Sequence, residues 1–205
     1  MNTKTPHVSA ILLAAGKSER MGQSKLLMPF GDGTVIGRTL DNLLASRAAE
    51  VVVVLGSRSH EMGQAIGKRD VTLVLNPNYA RGMSTSLATG LQMVSKQAKF
   101  VMVALGDQPF VTTQTYDKLI EAALTTDKGI VVPVYRKKRG NPILIHAGYI
   151  PEALRFTGDV GGRELLSSYP KDVLEVKVPD EGILINVNTP EEYARHIGTG
   201  GLARD

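Results

Sequence analysis

The chain has 205 residues, a formal net charge of +4 and no cysteine, which excludes disulfide bonds, thiolate metal sites and a cysteine nucleophile. No apolar stretch approaches the roughly 20 residues of a membrane span, and the N-terminus lacks the apolar core of a signal peptide. Aromatic residues make up only 5% of the chain, which is too few for extensive stacking on single-stranded nucleic acid. We therefore expect a cytoplasmic protein that binds neither membranes nor nucleic acid, and the mild positive charge favours a small anionic substrate.

Five short runs of apolar and β-branched residues predict buried β-strands. In chain order they are residues 8–14, 50–56, 71–76, 99–106 and 129–135. Four helix-length segments lie between them, at residues 34–48, 59–68, 84–97 and 112–126. Each strand is almost continuously apolar, as expected where both faces of a sheet are covered. The alternation predicts an α/β fold: a doubly wound, mostly parallel sheet with helices on both faces.

The last third of the chain departs from this alternation. The basic segment at 135–142 is typical of a hairpin tip, and two short helical pieces follow it. An edge strand is predicted at 173–178, a last strand at 183–188, and a final helix from Thr189, with proline at its first position. We expect residues 1–205 to form a single domain, in which residues 135–182 are an edge region or a small insertion.

Ligands bind at the carboxyl ends of the strands in a doubly wound sheet. The first strand leads into "AAGKSERMGQSK", where Gly16 and Gly22 would let backbone N–H groups approach a ligand. Lys17, Arg20 and Lys25 add positive charge to the same loop. Backbone N–H groups and cations together predict a cradle for a polyphosphate, although the spacing matches neither the Walker loop nor the dinucleotide-binding motif. A solvated loop whose cations only maintain solubility is the alternative.

Two further strand ends carry polar side chains. Asp107 directly follows the fourth strand, where a carboxylate facing phosphates could hold Mg²⁺. Alternatively, Asp107 caps the next helix, for which Thr112 or Thr113 is also a candidate cap. Ser84 and Ser86 begin another predicted helix, where hydroxyls and free N–H groups can bind a base or a phosphate, or can simply cap the helix.

The loop after the first strand resembles the signature LAAGxSxRMGxxK of the molybdopterin nucleotidyltransferases. It matches at Ala14, Ala15, Gly16, Ser18, Arg20, Met21, Gly22 and Lys25. Other segments are similar to motifs of that family in the same order: "NPNYARGMSTSL" from residue 76, "GDQPFV" from 106, "KRGNP" from 138, "GDVGGR" from 158 and "NVNTPEE" from 186. The resemblance implies a glycosyltransferase-A-like fold, of the nucleotide-diphospho-sugar-transferase type, and an enzyme that transfers a nucleotidyl group from an NTP.

The resemblance also implies a reaction and a set of site residues. The reaction is transfer of CMP from CTP to the phosphate of the molybdenum pterin cofactor, with Mg²⁺ and with release of pyrophosphate; a transient contact with a molybdenum hydroxylase would follow. The implied catalytic residues are Arg20, Lys25 and Asp107, and the implied metal ligands are Asp107 and Asn188. The implied nucleotide contacts are Leu13, Ala14, Ala15, Gly16, Ser18, Lys25, Ser84 and Ser86. The implied acceptor contacts are Asn141, Asp159 and Arg163, which places residues 135–182 on the acceptor side.

Three alternatives stay open. The first alternative is transfer of GMP from GTP. Asn186 and Asn188 favour it, because the guanylyl-transferring branch often reads NxNTP, whereas branches that use CTP often carry acids at these two positions. Ala15, where that branch usually has glycine, leaves less room beside the base and favours the smaller pyrimidine. Cytidylyl transfer to a polyol phosphate would use a similar first loop, but "GDQP" differs from the GAxRP usual there. The third alternative is a non-catalytic accessory protein that holds the pterin cofactor for a molybdenum hydroxylase, and the amides at Asn186 and Asn188 keep it open.

Overall fold

The structure is a computed structural model that describes residues 7–16 and 24–187. Its strands are β1 (Val8–Ala14), β2 (Pro29–Phe30), β3 (Gly33–Thr34), β4 (Glu50–Leu55), β5 (Thr72–Leu75), β6 (Phe100–Leu105), β7 (Ile130–Tyr135), β8 (Lys138–Arg139), β9 (Ile143–His146) and β10 (Val173–Lys177). Its α-helices are α1 (Val35–Leu44), α2 (Ser59–Ile66), α3 (Met83–Leu91), α4 (Thr113–Thr125), α5 (Ile150–Ala153) and α6 (Arg163–Ser168). The five predicted strands and the four predicted helices are confirmed, with shifts at their ends that are largest at the end of α3. Strand β5 is the exception to the predicted burial, because it lies at the edge of the sheet with Leu73 and Leu75 exposed. The helix predicted from Thr189 lies outside the described residues.

Within the described residues, eight strands form one sheet in the order β10-β7-β9-β6-β1-β4-β5, with β8 paired to β7. Strand β1 is parallel to both β4 and β6, β4 is parallel to β5, and β10 is parallel to β7. Strand β9 runs antiparallel to its neighbours β6 and β7. The predicted doubly wound, mostly parallel sheet is confirmed. Because β6 and β7 point the same way as β1, their carboxyl ends lie at one edge of the sheet.

Both faces of the sheet are covered by helices. Successive side chains of a strand point to opposite faces. In β1, Ala10 and Leu12 pack in a core with residues of α1, α2 and α4, whereas Ile11 packs in a second core with residues of α3, α5 and α6. All three side chains are fully buried, which explains the unbroken apolar run in the sequence. No helix in the described part of the chain is long and apolar enough to cross a membrane.

The predicted hairpin at 135–142 is confirmed, and it is formed by β7 and β8. Arg136 and Lys137 occupy its two-residue turn with φ angles of 46° and 66°. Positive φ at both turn positions is typical of the tight turns whose twist matches that of the flanking strands. The predicted edge strand is confirmed as β10, which ends the strand order beside β7.

The last strand predicted at 183–188 is wrong in its described part. Glu181–Leu184 form a 3-10 helix, and residues 185–187 join no strand. The Asp180 side chain caps this turn by accepting the N–H of Gly182 at 2.8 Å. A Cβ at Gly182 would lie 2.3 Å from the Phe110 carbonyl oxygen, so the segment is pressed against the loop after β6 instead of extending along the sheet.

Candidate active site

The carboxyl ends of β1 and β6 are joined by hydrogen bonds that fix the turn before Asp107. The Gly106 N–H donates to the Leu13 carbonyl at 3.0 Å, and the Thr39 hydroxyl donates to the Gly106 carbonyl at 3.1 Å. The Nζ atom of Lys25 then lies 2.5 Å from Oδ2 of Asp107, with the two side chains 24% and 12% exposed. Two of the predicted catalytic residues, far apart in sequence, therefore form a partly buried ion pair.

Two amide side chains also stand beside Asp107. The Asn186 Nδ2 lies 3.4 Å from Oδ2 and 3.5 Å from Oδ1 of Asp107. The Asn186 Oδ1 accepts a hydrogen bond from Gln108 Nε2 at 2.9 Å, and the Val187 N–H donates to the Asp107 carbonyl at 2.9 Å. The sequence pattern assigned no role to Gln108. Its position directly after Asp107, at the end of a buried strand, is the feature that could have indicated one.

Asp107 is not a helix cap, so that alternative is wrong. Helix α4 is capped by Thr112, as predicted, since the Thr112 hydroxyl accepts the N–H of Thr115 at 3.3 Å. The carboxylate that supports this cap belongs to Asp180, which accepts the N–H of Thr112 at 3.0 Å. The Asp107 carboxylate instead faces Lys25.

A cavity of about 710 Å³ opens at this edge of the sheet. The predicted nucleotide contacts that line it are Leu13, Ala14, Ala15, Gly16, Lys25 and Ser86. Asp107 also lines it, and so do Gly82 and Met83 at the start of α3. The N-terminal end of α3 therefore borders the cavity, and its first three N–H groups are directed at Asp159, Gly158 and Gly82. The volume is in the range of small-ligand sites.

The two serines of α3 have different surroundings. Ser86 lines the cavity, and its Oγ accepts a hydrogen bond from the Asn76 side chain at 2.9 Å. Ser84 is 1% exposed, and its Oγ has no hydrogen-bond partner within the described part of the chain. Neither serine caps the helix, because the N-cap is Gly82, and that alternative is wrong.

A second cavity, of about 610 Å³, adjoins the first. The three predicted acceptor contacts, Asn141, Asp159 and Arg163, all line it. The residues that line both cavities are Leu13, Met83, Leu105, Asp159 and Asn186. This arrangement suits two ligands that meet at a shared wall.

The "GDVGGR" segment, residues 158–163, forms part of that shared wall and packs against the start of α3. The Ser84 N–H donates to the Gly158 carbonyl at 3.2 Å, and the Met83 N–H lies 3.4 Å from Oδ1 of Asp159. Gly82 and Gly158 have φ angles of 116° and 75°, and a Cβ on Gly82 would lie 2.2 Å from the Gly158 carbonyl oxygen. The two glycines thus allow the close approach that puts Asp159 between the cavities.

A third cavity, of about 550 Å³, lies at the opposite edge of the sheet, where β6 and β7 begin. The Tyr149 hydroxyl donates there to the Asp172 carboxylate, and this bond lowers the pKa of Asp172 below its ordinary value. The cavity is therefore remote from the strand ends that carry the predicted chemistry. Ser18, Arg20 and Asn188 complete the set of predicted site residues, and all three lie outside the described residues.

The family described as MobA-like NTP transferase domain matches residues 10–173. Molybdenum cofactor cytidylyltransferase of Escherichia coli K12 is 27% identical over 187 residues, which cover 91% of this chain and 93% of that protein. Nicotine blue oxidoreductase of Paenarthrobacter nicotinovorans is 29% identical over 206 residues, covering 95% and 98%. A probable molybdenum cofactor guanylyltransferase of Mycobacterium ulcerans is 24% identical over 206 residues, covering 94% of each chain.

Solved structures give the same result. The crystal structure of Rv0371c from Mycobacterium tuberculosis has a TM-score of 0.85 at 28% identity, covering 95% of this chain and all of that one. A complex of Rv0371c with manganese has a TM-score of 0.82 at 27% identity, covering 94% and 99%. The predicted nucleotide-diphospho-sugar-transferase-like fold is confirmed. The chain belongs to the MobA-like NTP transferase family and is a nucleotidyltransferase.

Proposed function

We propose that this nucleotidyltransferase transfers CMP from CTP to a phosphate of the molybdenum pterin cofactor and releases pyrophosphate. The observation that carries the proposal is the pair of adjoining cavities beside the Lys25–Asp107 pair, one for the nucleotide and one for the acceptor. The names of two relatives, one a cytidylyltransferase and one a guanylyltransferase of molybdenum cofactor, support the choice of acceptor.

The chemistry requires positioning and charge stabilisation more than proton transfer. An oxygen of the acceptor phosphate forms a bond to the α-phosphorus, and the bond from that phosphorus to the bridging oxygen of pyrophosphate breaks. A phosphate monoester is already anionic at neutral pH, so no strong general base is needed. We propose that Lys25, together with Arg20 from the preceding loop, stabilises the charge that develops on the phosphates.

Beside Lys25, the Asp107 carboxylate offers one charged oxygen ligand to a divalent metal ion. The described residues hold no cluster of three or more acidic, histidine or cysteine ligands, so substrate phosphates would have to complete such a site. Mg²⁺ is commonly held by one or two carboxylates and by substrate phosphates. We propose that Asp107, with Asn188 as a neutral oxygen ligand, would hold Mg²⁺, which when bound would supply positive charge to the reacting phosphates.

Guanylyl transfer from GTP to the same acceptor is the second candidate. The amides of the closing motif and the mycobacterial guanylyltransferase relative favour it. The similar first loop is the one feature that favours cytidylyl transfer to a polyol phosphate, and the amides Asn186 and Asn188 are the one feature that favours a non-catalytic accessory role. A cytoplasmic location and a transient contact with a molybdenum hydroxylase stay predictions.

The proposal is tested by pyrophosphate release from CTP, with the reduced pterin cofactor supplied and with Mg²⁺ present or absent. We expect metal-dependent release by the wild type and a loss of about 10²-fold or more in Asp107→Asn, because a neutral amide holds a hard divalent ion poorly. Asp117→Asn is the matched control, since Asp117 pairs with exposed Arg47 away from both cavities.

Each other outcome identifies a different error. If metal-dependent release of pyrophosphate is unchanged in Asp107→Asn, the proposed reaction is correct but Asp107 does not hold the metal ion. No release from the wild type with any nucleotide would favour the accessory role, or chemistry like that named for the oxidoreductase relative.

A further inference from the structure

Gln108 is buried beside Asp107, and the roles proposed above give it no part. Its side chain is 2% exposed. Its Nε2 lies 3.2 Å from the carbonyl oxygen of Ile183 and 2.9 Å from Oδ1 of Asn186. The Nδ2 of Asn186 faces both carboxylate oxygens of Asp107, at 3.4 and 3.5 Å. These contacts form a continuous chain from a backbone carbonyl to the carboxylate at the end of β6.

The orientation of both amides follows from that backbone carbonyl. A carbonyl oxygen can only accept, so the end of Gln108 that faces Ile183 has to be its NH₂ group. The second hydrogen of that group then points at Asn186, which has to present its oxygen to it. The oxygen and nitrogen of an amide side chain are assigned from their hydrogen-bond partners. Here the Ile183 carbonyl, which can only accept, allows a single orientation of each amide.

Asn186 therefore offers amide hydrogens, not an oxygen, to Asp107. Its oxygen is already engaged by Gln108, so Asn186 is not placed to ligate a metal ion. The hydrogens attract the charged carboxylate and restrict its rotation about the Cβ–Cγ bond. Both distances are longer than the usual distance of about 2.7–3.2 Å in an N–H···O hydrogen bond, so each contact is weak, and the Lys25 ammonium at 2.5 Å is the closer partner of the same carboxylate.

The same backbone carbonyl also connects this chain of contacts to the acceptor cavity. The Ile183 carbonyl accepts the N–H of Asn141 at 3.0 Å as well as the Gln108 side chain. Gly140 allows this approach, since a Cβ there would lie 2.4 Å from the Ile183 carbonyl oxygen. Gln108 is thus held by a carbonyl that also contacts Asn141 of the second cavity, and through Asn186 it faces Asp107 of the first cavity.

We propose that Gln108 is a positioning residue that acts through Asn186 to hold the Asp107 carboxylate in the orientation that binds the divalent ion. The inference rests on the proposed function, in which Asp107 carries that ion. Hydrogen-bond partners of a ligating carboxylate typically change metal affinity by about 10- to 100-fold, so the effect is large enough to measure.

The test is a double-mutant cycle on Mn²⁺ affinity without nucleotide, measured from the EPR signal of free Mn²⁺. Gln108→Met keeps the side-chain length and removes the donors, and Asn186→Ala removes the intermediate amide. We expect each to weaken Mn²⁺ binding by about tenfold or more. We expect the double variant to bind no more weakly than Asn186→Ala alone, because residues that act in series are not additive.

Two further variants distinguish positioning by the amide chain from an effect of loop packing. The Asn42 side chain donates to the carbonyls of Pro109 and Val111 at 3.2 and 2.9 Å, so Asn42→Ala loosens the same loop without touching the amide chain. We expect it to keep its Mn²⁺ affinity within about twofold of the wild type, well below the effect of an outer metal-site partner. A comparable loss there would assign the effect to packing and overturn the inference. Asp107→Asn should abolish binding if Asp107 carries the ion.

A Gln108→Met affinity equal to that of the wild type, or losses that multiply in the double variant, would overturn the inference and leave the proposed function standing. A wild type that binds no Mn²⁺ would overturn the inference, whereas the proposed function is judged by the metal-dependent release of pyrophosphate from CTP. A second measurement does not depend on the folding of Gln108→Met. The Asn186 side-chain amide proton resonances, assigned by their loss in Asn186→Ala, should move in the isosteric Asp107→Asn; unmoved resonances would also overturn the inference.

Discussion

Ser84 and Ser86 stand two residues apart in α3 and allow a clear comparison. The buried hydroxyl of Ser84 has no hydrogen-bond partner among residues 7–16 and 24–187, whereas Ser86 accepts a hydrogen bond from Asn76 and lines the first cavity. We expect Ser84→Ala to raise the free energy of unfolding by about 1 kcal/mol, because an unsatisfied polar group is removed. Ser86→Ala should lower it by about 1 kcal/mol and raise the KM for the nucleotide. Urea denaturation and steady-state kinetics measure both effects, and a raised KM in Ser84→Ala would show that its hydroxyl does reach the nucleotide.

The residues of the site differ in how far the sequence could predict them. Lys25 and Asp107 each follow a buried strand, so their meeting is expected from the parallel order of β1 and β6. The role of Gln108 depends on the Ile183 carbonyl, which belongs to a turn that the sequence pattern wrongly predicts as strand. Local periodicity carries no information on such a contact, since only the packed chain brings that carbonyl beside β6.

At the scale of elements, the buried strands were predictable because both faces of the sheet are covered and their sequences are nearly all apolar. Strand β9 was not predicted. It is only four residues long and directly follows the hairpin, whose tight turn sends the chain back between β6 and β7. Its antiparallel direction is a consequence of the short connection, which cannot form the crossover that a parallel strand requires.

The hairpin of β7 and β8 supports a kinetic prediction about the acceptor. Arg136, Lys137 and Lys138 are exposed, whereas Arg139 pairs with Glu175 at 2.7 Å. Lys138 is three residues before Asn141 of the second cavity, hence within about 10 Å of its wall. That distance is close to the Debye length of about 8 Å at physiological ionic strength, so these cations can attract an anionic acceptor.

We therefore expect the double variant Lys137→Glu/Lys138→Glu to lower kcat/KM for the acceptor about three- to tenfold at low salt, with kcat unchanged. The loss should shrink as ionic strength rises, because salt screens exposed charges. Lys68→Glu/Lys96→Glu makes the same change of charge at the opposite edge of the sheet, before β5 and β6, and should have no effect. A loss that does not depend on salt would argue against steering.

At the scale of the whole molecule, the position of the site follows from the strand order. From β1 the chain winds outward through β4 and β5 on one side. It then adds β6 on the other side, continues to β7, returns through β9 between them and places β10 at the edge. Ligand sites of open α/β sheets form at the point where the winding changes direction, and β1 ends at that point. This explains why residues 13–16 border the first cavity and Leu13 borders both. That residues 1–205 form a single domain stays a prediction.

The choice of base is a property of the whole first cavity, because segments distant in sequence form its wall. Ala15 is 6% exposed at the end of β1, and a Cβ on Gly56 would lie 2.9 Å from its methyl group and 2.8 Å from the Tyr79 ring. The methyl group is thus held between the core and the cavity and cannot move aside for a larger base.

We expect kcat/KM for CTP to exceed that for GTP by at least about tenfold, or 1.4 kcal/mol. Ala15→Gly should reduce this ratio. A GTP preference above about tenfold with the same acceptor would instead show that Asn186 and Asn188 are the better guide to the nucleotide.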